Sequence, residues 1–344
     1  MRREGALQQT TALAQYAALR GLFGVFHMFG VNQNMRTSAA CGRLYFRAVR
    51  RHRERAIGHI TRSLPHLTPS EVHELAERSV ESLFQMFIVE TVAIPRLLTP
   101  TSWPKYVRPS HINGPLRLLT ERDPVLFLTG HCGNWELLGF VLALLGFQMS
   151  ALARPLDNPY IDRWIRDVRE ARGLHVLTKW GATTEVQKII EAGGRVGFIA
   201  DQNAGDDGLF VPFFGRLASS YKSIGLIAMR YEIPIAVGAA RRCNGQFSYE
   251  LDDLDIIYPC DWQDQPDPLF YITARFNRAI ELGIRRAPEQ YLWVHRRWKS
   301  RPPHERLGRA MPDRLKEKLR SLPWMTDEEM DRLTTRIEPV VPAT

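Results

Sequence analysis

Within the stretch FLTGHCGNWELLG, residues 127–139, an apolar run stops at a Gly-His-Cys-Gly-Asn turn and a Trp-Glu pair opens a second apolar run. His131 and Glu136 stand five positions apart there. If a carboxylate holds one nitrogen of a loop histidine, the other nitrogen is left as a general base. With Glu136 in the first turn of the next helix, the two side chains suit taking a proton from an alcohol as it attacks a carbonyl. Backbone N–H groups at the helix start can stabilise the oxyanion. Two other readings stand beside this one. His131 can simply close a turn, or Cys132 can be a thiol nucleophile beside a histidine, although adjacent turn residues usually project apart. A second His-x4-Glu, His66 to Glu71, needs no catalysis. Thr68, Pro69 and Glu71 form a helix start in which Glu71 reaches back to Thr68.

The chemistry at His131 needs a strand that ends and a helix that begins, and the surrounding sequence supplies both. From about residue 105, short apolar runs alternate with helical stretches. PVLFLT (124–129), QMSALA (148–153), GLHVLT (173–178), RVGFIA (195–200) and IPIAVGAA (233–240) read as buried strands, and FSYELDDLDIIYP as a later one. NWELLGFVLALLG, NPYIDRWIRDVREAR, ATTEVQKIIEAG and SYKSIGLIAMRY read as the helices between them. This alternation predicts an α/β fold with a mainly parallel central sheet and helices on both faces. Functional groups then gather at the carboxyl ends of the strands, where His131 and Asp201 both fall. The expected organisation is an N-terminal helical region (1–100), an α/β domain (101–305) and a helical tail (306–344). In the first region, AERSVESLFQMFIVETVAI is expected to be helical and to stop at Pro95.

A formal charge of +9 over 344 residues favours anionic partners: lipid headgroups, an acidic protein or nucleic acid. Residues 11–31 are mostly apolar but carry Arg20 and His27, which suits a tilted anchor, an interfacial helix or a helix packed on the main domain. Eight arginines follow in residues 36–62 against Glu54 alone, and the positive-inside rule places that end in the cytoplasm. The N-terminal helices are therefore expected to associate with a membrane. Four scattered cysteines without C-x-x-C spacing predict neither a disulfide framework nor a metal site. The block WVHRRWKSRP, 293–302, interleaves basic and aromatic residues, as a membrane interface or a single-stranded nucleic acid groove would.

Several ordered blocks also resemble the bacterial lipid A lauroyl/myristoyl acyltransferases of the lysophospholipid acyltransferase superfamily. GHCGNWE is similar to that family's H-x-G-N-W-E signature, and ARPLDNPYIDRWIRDVREARG to its R-P-x-x-N-P-x-I segment with a downstream arginine. GFIADQNAGDDGLFVPFFGRLAS and APEQYLWVHRRWKSRP resemble its D-Q/P-F-F-G block and its closing block. The resemblance covers roughly residues 10–302, and Cys132 departs from the small, apolar or threonine residue usual at its position. It implies transfer of a fatty acyl chain from a carrier thioester to a hydroxyl of a membrane glycolipid at the cytoplasmic face of the inner membrane, without metal or cofactor. The donor would be acyl carrier protein or acyl-CoA, and the acceptor an anionic glycolipid, first of all a lipid A precursor. Relatives that acylate mannosylated phosphoinositides leave other acceptors open.

By the same resemblance His131 is the general base and Glu136 its orienting partner. Gly133, Asn134, Arg154, Arg169, Asp201 and Gln202 line the substrates. Arg169 would meet a phosphate, although Arg163, Arg166, Arg169 and Arg172 could equally be one salt-bridged helix. Asp201 would shape the acceptor pocket or cap its loop, and VPFFG (211–215) would be a structural turn edging the acyl groove, with Phe213 and Phe214 equally able to belong to the core. No nucleic-acid partner is implied. A basic membrane- or nucleic-acid-binding protein without catalysis is the competing class, and it requires activity to survive loss of His131.

Overall fold

The computed structural model describes residues 2–110, 113–121, 123–178 and 182–334. Four helices open the chain: α1 (Arg2–Phe26), α2 (Val31–Ala48), α3 (Arg50–Ser63) and α4 (Pro69–Gln85). At the start of α4 the predicted capping box is present. The Thr68 N–H donates to the Glu71 carboxylate at 2.7 Å and the Glu71 N–H donates to the Thr68 hydroxyl at 3.4 Å. The apolar run beyond α4 does not stop at Pro95. A π-helical turn, Met86–Glu90, leads into α5 (Thr91–Leu97). Pro95 has no N–H to give, but the Leu98 N–H still closes on the Ile94 carbonyl at 2.9 Å, so the helix outlasts the proline.

The α/β region follows as β1 (Val107–Ser110), α6 (Asn113–Thr120), β2 (Val125–Thr129), α7 (Trp135–Leu144), β3 (Met149–Ala153), α8 (Pro159–Glu170), β4 (Leu174–Thr178), α9 (Ala182–Glu191) and β5 (Arg195–Ile199). A hairpin of β6 (Leu209–Phe213) and β7 (Arg216–Ser220) precedes α10 (Lys222–Tyr231), β8 (Ile235–Arg242), β9 (Tyr249–Ile257), α11 (Pro259–Trp262) and α12 (Pro268–Arg286). The tail carries α13 (Pro303–Arg306), α14 (Asp313–Arg320) and α15 (Asp327–Thr334); its predicted remainder, 335–344, lies outside the described residues.

All six predicted strands belong to one seven-stranded sheet of order β1-β9-β8-β2-β5-β3-β4. Five strands, β8 to β4 in that order, run parallel; β9 is antiparallel to β8, and β1 follows β9. The central strand β2 is buried along its whole length, as its unbroken apolar run demands. Its side chains alternate between two cores. Leu126 and Leu128 pack with Phe276 and Ile280 of α12, whereas Val125 and Phe127 pack with Leu118 of α6 and Leu142 of α7. Helices therefore cover both faces. The core shared with α12 also takes in Phe46, Ile60 and Val80 of α2, α3 and α4, and Leu319 of α14.

One element departs from the sequence reading. The segment VRPS forms β1, which is too short and polar to show a strand pattern. VPFFG contains the expected turn: it joins the end of β6 to β7 through Phe214 (φ 52°) and Gly215 (φ 65°), which both take the left-handed conformation that tight hairpins require. Phe213 and Phe214 are buried, and Phe214 packs edge-on to Trp293.

Among the described residues no helix is long and apolar enough to cross a membrane. Instead α1 lies against α8: Phe23 meets Trp164 edge-on at 5.1 Å, and the Asn158 amide donates to the Ala12 carbonyl at 2.9 Å. The opposite side of this segment leaves Leu22, Val25, Met28 and Phe29 exposed, Met28 at 81%.

One buried group in this frame predicts a pH response. His59 of α3 hydrogen-bonds the Trp293 carbonyl at 2.9 Å and packs edge-on to Trp298. Burial pulls its pKa down to about 4; the Trp293 contact opposes this, and the charges of Arg216, Arg62 and Arg55 add to it. Between pH 6.5 and about 4 the unfolded chain therefore binds a proton that the folded chain refuses, so stability rises with pH across that window. The full shift corresponds to roughly 3 kcal/mol. Chemical denaturation of His59→Gln between pH 4.5 and 7 is expected to show a flatter stability profile than the parent.

Candidate active site

The turn after β2 is held from three sides. The Gly133 N–H donates to the Gln290 carbonyl at 3.1 Å, the Asn134 N–H to the Ala240 carbonyl at 2.7 Å, and the Leu292 N–H to the His131 carbonyl at 3.0 Å. Gly133 has φ 66°, and a Cβ there would stand 2.1 Å from the Ala240 carbonyl oxygen, so only glycine fits. The Asn134 side chain caps α7 by accepting from the Leu137 N–H at 2.9 Å, and its amide donates to Glu90 at 2.7 Å. Glu90, on the π-helical turn, is fully buried and pairs with Arg242 at 2.8 Å. Burial pushes its carboxyl pKa up, and Arg242, Tyr249 and Asn134 oppose that shift. Gly133 and Asn134, expected to line the substrates, are thus occupied in fixing the turn.

That turn presents His131 to Asp201. Thr129 of β2 pairs with Ile199 of β5, so residues two past each of these partners, 131 and 201, leave the sheet side by side. The Asp201 carboxylate accepts from the His131 backbone N–H at 2.8 Å and bonds ring Nδ1 at 2.6 Å. A carboxylate there selects the tautomer that carries its proton on Nδ1, leaving Nε2 as the basic nitrogen. Nε2 faces the Gln202 amide at 3.2 Å. Burial by itself would raise the Asp201 pKa, but the His131 charge, the two hydrogen bonds from His131 and the charge of Arg297 outweigh it and hold the carboxyl below its ordinary value. The Asp201 carboxylate is thus committed to His131, whose residue is 9% exposed.

Glu136, expected to face His131, is bonded elsewhere. Glu136 takes the Arg169 guanidinium as a two-pronged pair, at 2.8 Å to Nε and 2.6 Å to Nη2. Its place on the first turn of α7 directs it toward α8 rather than back over the turn. Burial lowers the Arg169 pKa, but Glu136 more than reverses this and the net shift is upward. Arg169, expected to meet a phosphate, has its fork filled by this partner. Arg154 stands exposed one residue beyond β3, with no carboxylate partner among the described residues.

Beside these groups a narrow apolar cleft lies between the sheet and α7. Leu138, Gly139 and Leu142 of α7, Met149 of β3 and Phe198 of β5 form its walls, and Glu136 and Arg169 add a polar pair. Trp135 also lines it, with its ring 4.8 Å from that of His131, centre to centre.

Cys132 points away from this chemistry. It is buried, its thiol meets the Ala287 carbonyl at 3.7 Å, and burial drives its pKa far above the ordinary thiol value. Cys132→Ala is expected to leave turnover within about twofold of the parent, since a thiol that stays protonated supplies no nucleophile.

The block WVHRRWKSRP does not form one basic-aromatic face. Trp293, Arg297 and Trp298 are buried, while Arg296 and Lys299 are exposed. Arg297 donates to the Gln202 and Ser219 carbonyls, the Ser220 hydroxyl and the Asn277 side chain, and so anchors the loop that carries Gln202.

The family described as bacterial lipid A biosynthesis acyltransferase matches residues 7–300. This chain belongs to that family. Among relatives, it is 29% identical over 189 residues to the lipid A biosynthesis palmitoleoyltransferase of Escherichia coli K12, covering 54% of this chain and 59% of the relative. With the lauroyltransferase of that strain it shares 28% over 151 residues, covering 43% and 48%. With the myristoyltransferase it shares 24% over 192 residues, covering 54% and 56%. The chain thus matches about half the length of these relatives. The family match contains the His131 turn, Asp201 and all but the last two residues of the closing block, so the juxtaposition of His131 and Asp201 lies wholly within it.

Proposed function

We propose that this protein transfers a fatty acyl chain from a carrier thioester to a hydroxyl of a membrane glycolipid of the lipid A type, with His131 as general base and Asp201 as its orienting partner. The observation that carries this reading is the ring of His131, bonded at Nδ1 by Asp201, with Nε2 at the Gln202 amide, and packed on Trp135 of an apolar cleft. The acceptor hydroxyl displaces the Gln202 amide from Nε2. Its proton passes to Nε2 as its oxygen attacks the thioester carbonyl. Asp201 stabilises the imidazolium so formed. The tetrahedral intermediate collapses by breaking the carbon–sulfur bond, and the thiolate takes the proton back from Nε2. The N–H groups of Trp135 and Glu136, in the first turn of α7, serve as oxyanion donors on this reading.

The acyl chain fits the cleft beneath α7, where burial of each methylene contributes about 0.8 kcal/mol. Glu136 serves the site through Arg169, keeping the guanidinium at the polar end of the cleft. Exposed Leu22, Val25, Met28 and Phe29, followed by the arginines of α2 and α3, suit a face resting on an anionic membrane, the cytoplasmic side of the inner membrane on this reading. The basic surface also suits an acidic acyl carrier protein as donor.

The test is product analysis. Purified protein is incubated with acyl carrier protein or CoA thioesters and with a lipid A precursor, a mannosylated phosphoinositide or another glycolipid, and the lipids are weighed by mass spectrometry. A lipid A precursor gaining one acyl group is expected. Equal yields from the parent and His131→Ala would overturn the reading.

A further inference from the structure

Two basic segments far apart in the sequence, one in α3 and one after α12, meet beside His131. Arg55 of α3 donates to the Val294 carbonyl at 3.1 Å. The next residue, His295, stacks its ring on that of His131 at 6.2 Å with 13° between planes. Arg296 follows, exposed, and Arg51 stands exposed one helical turn before Arg55.

Three neighbouring arginines of α2 and α3 have carboxylate partners. Arg43 pairs with Glu81 at 3.0 Å, Arg47 with Glu77 at 3.7 Å and Arg50 with Glu54 at 2.5 Å. Arg51, Arg55 and Arg296 have no carboxylate partner among the described residues, and burial together with the charges of Arg296 and Arg51 disfavours the charged form of Arg55. Like charges gathered without a counterion repel, and an anion seated among them relieves that repulsion. Guanidinium forks match the paired oxygens of a phosphate. The fork of Arg169, the other arginine at the site, is already filled by Glu136.

We propose that Arg51, Arg55 and Arg296 form a subsite for a phosphate ester carried by one of the two substrates that meet at His131. The proposal rests on the acyl-transfer reading for the identity of the carrier. The phosphate belongs either to the pantetheine arm of the donor or to the sugar of the acceptor, and one site of this chemistry serves either.

Equilibrium binding to the full-length protein in detergent tests this without requiring turnover. The probes are two pairs: S-dodecyl-4′-phosphopantetheine with S-dodecyl-pantetheine, and a monophosphorylated disaccharide lipid with its dephosphorylated form. At least one phosphorylated probe is expected to bind about tenfold more tightly than its partner, as a charged hydrogen-bonded contact implies. That advantage is expected to vanish in Arg55→Ala/Arg296→Ala, with the unphosphorylated probes bound as before. Arg55→Lys, which keeps the charge and removes the fork, is expected to lose part of it, and Arg50→Ala, on a paired arginine, none. Loss confined to the first pair assigns the site to the donor, and loss confined to the second assigns it to the acceptor. A phosphate advantage that survives the double substitution for both pairs, or that is missing from the parent, overturns the proposal. Absence of acylated product from every donor and acceptor would overturn the acyl-transfer reading and leave the binding result standing.

Discussion

Replacing His131 with alanine is expected to lower the acyl-transfer rate by about a thousandfold to ten-thousandfold while leaving the fold intact. The loss falls on kcat, because Nε2 acts only when the attacking hydroxyl gives up its proton. Binding of the acyl chain depends on the cleft walls of α7, β3 and β5, which keep Leu138, Leu142, Met149 and Phe198 in the variant, although Trp135 loses its ring contact with the imidazole. The turn should survive, since its backbone is held by Gln290, Ala240 and Leu292 rather than by the imidazole. Single-turnover rates with a pre-bound thioester measure the chemical step directly. A parental rate in the alanine variant, with unchanged circular dichroism, would remove His131 from the chemistry.

Asp201→Asn is expected to cost about a thousandfold or more, by analogy with other carboxylate-oriented histidines. The carboxylate accepts from two donors at once, the backbone N–H and Nδ1–H of His131. An amide has one accepting oxygen. If it keeps the backbone N–H, its NH2 faces Nδ1, the ring changes tautomer, and Nε2 carries a hydrogen where a lone pair is needed. Glu136→Gln should act in another way, by releasing Arg169 from its two-pronged pair. Its expected signature is weakened use of substrate at the mouth of the cleft, read as a rise in KM larger than the fall in kcat. Comparing the two variants in one assay separates the carboxylate that orients the base from the one that holds an arginine. Equal, purely kcat losses in both would contradict that division.

The strands of the sheet were legible because β2, β3, β4, β5 and β8 are buried apolar runs separated by amphipathic helices, a pattern imposed by covering both faces. His131 was legible for the same reason: a histidine between two glycines after such a run falls at a carboxyl end. Its partner was not, because sequence spacing favours Glu136, five residues away, whereas sheet order sets β5 against β2. A signal was nevertheless present, since His131 and Asp201 lie at equal distances beyond the register partners Thr129 and Ile199. The π-helical turn that carries Glu90 leaves no periodic trace, so the buried Glu90–Asn134–Arg242 cluster could not be read in advance. Nor could the sorting of WVHRRWKSRP into buried and exposed residues, because an irregular segment has no fixed period from which to infer sides.

On the proposed reading Asp201, and not Glu136, holds the proton of His131 on Nδ1. Nitrogen-15 NMR of histidine-labelled protein reads this directly. The parent and Glu136→Gln should both show the His131 ring protonated at Nδ1 and bare at Nε2, and Asp201→Asn should not. A ring that keeps its Nδ1 proton in Asp201→Asn, or loses it in Glu136→Gln, would contradict the account.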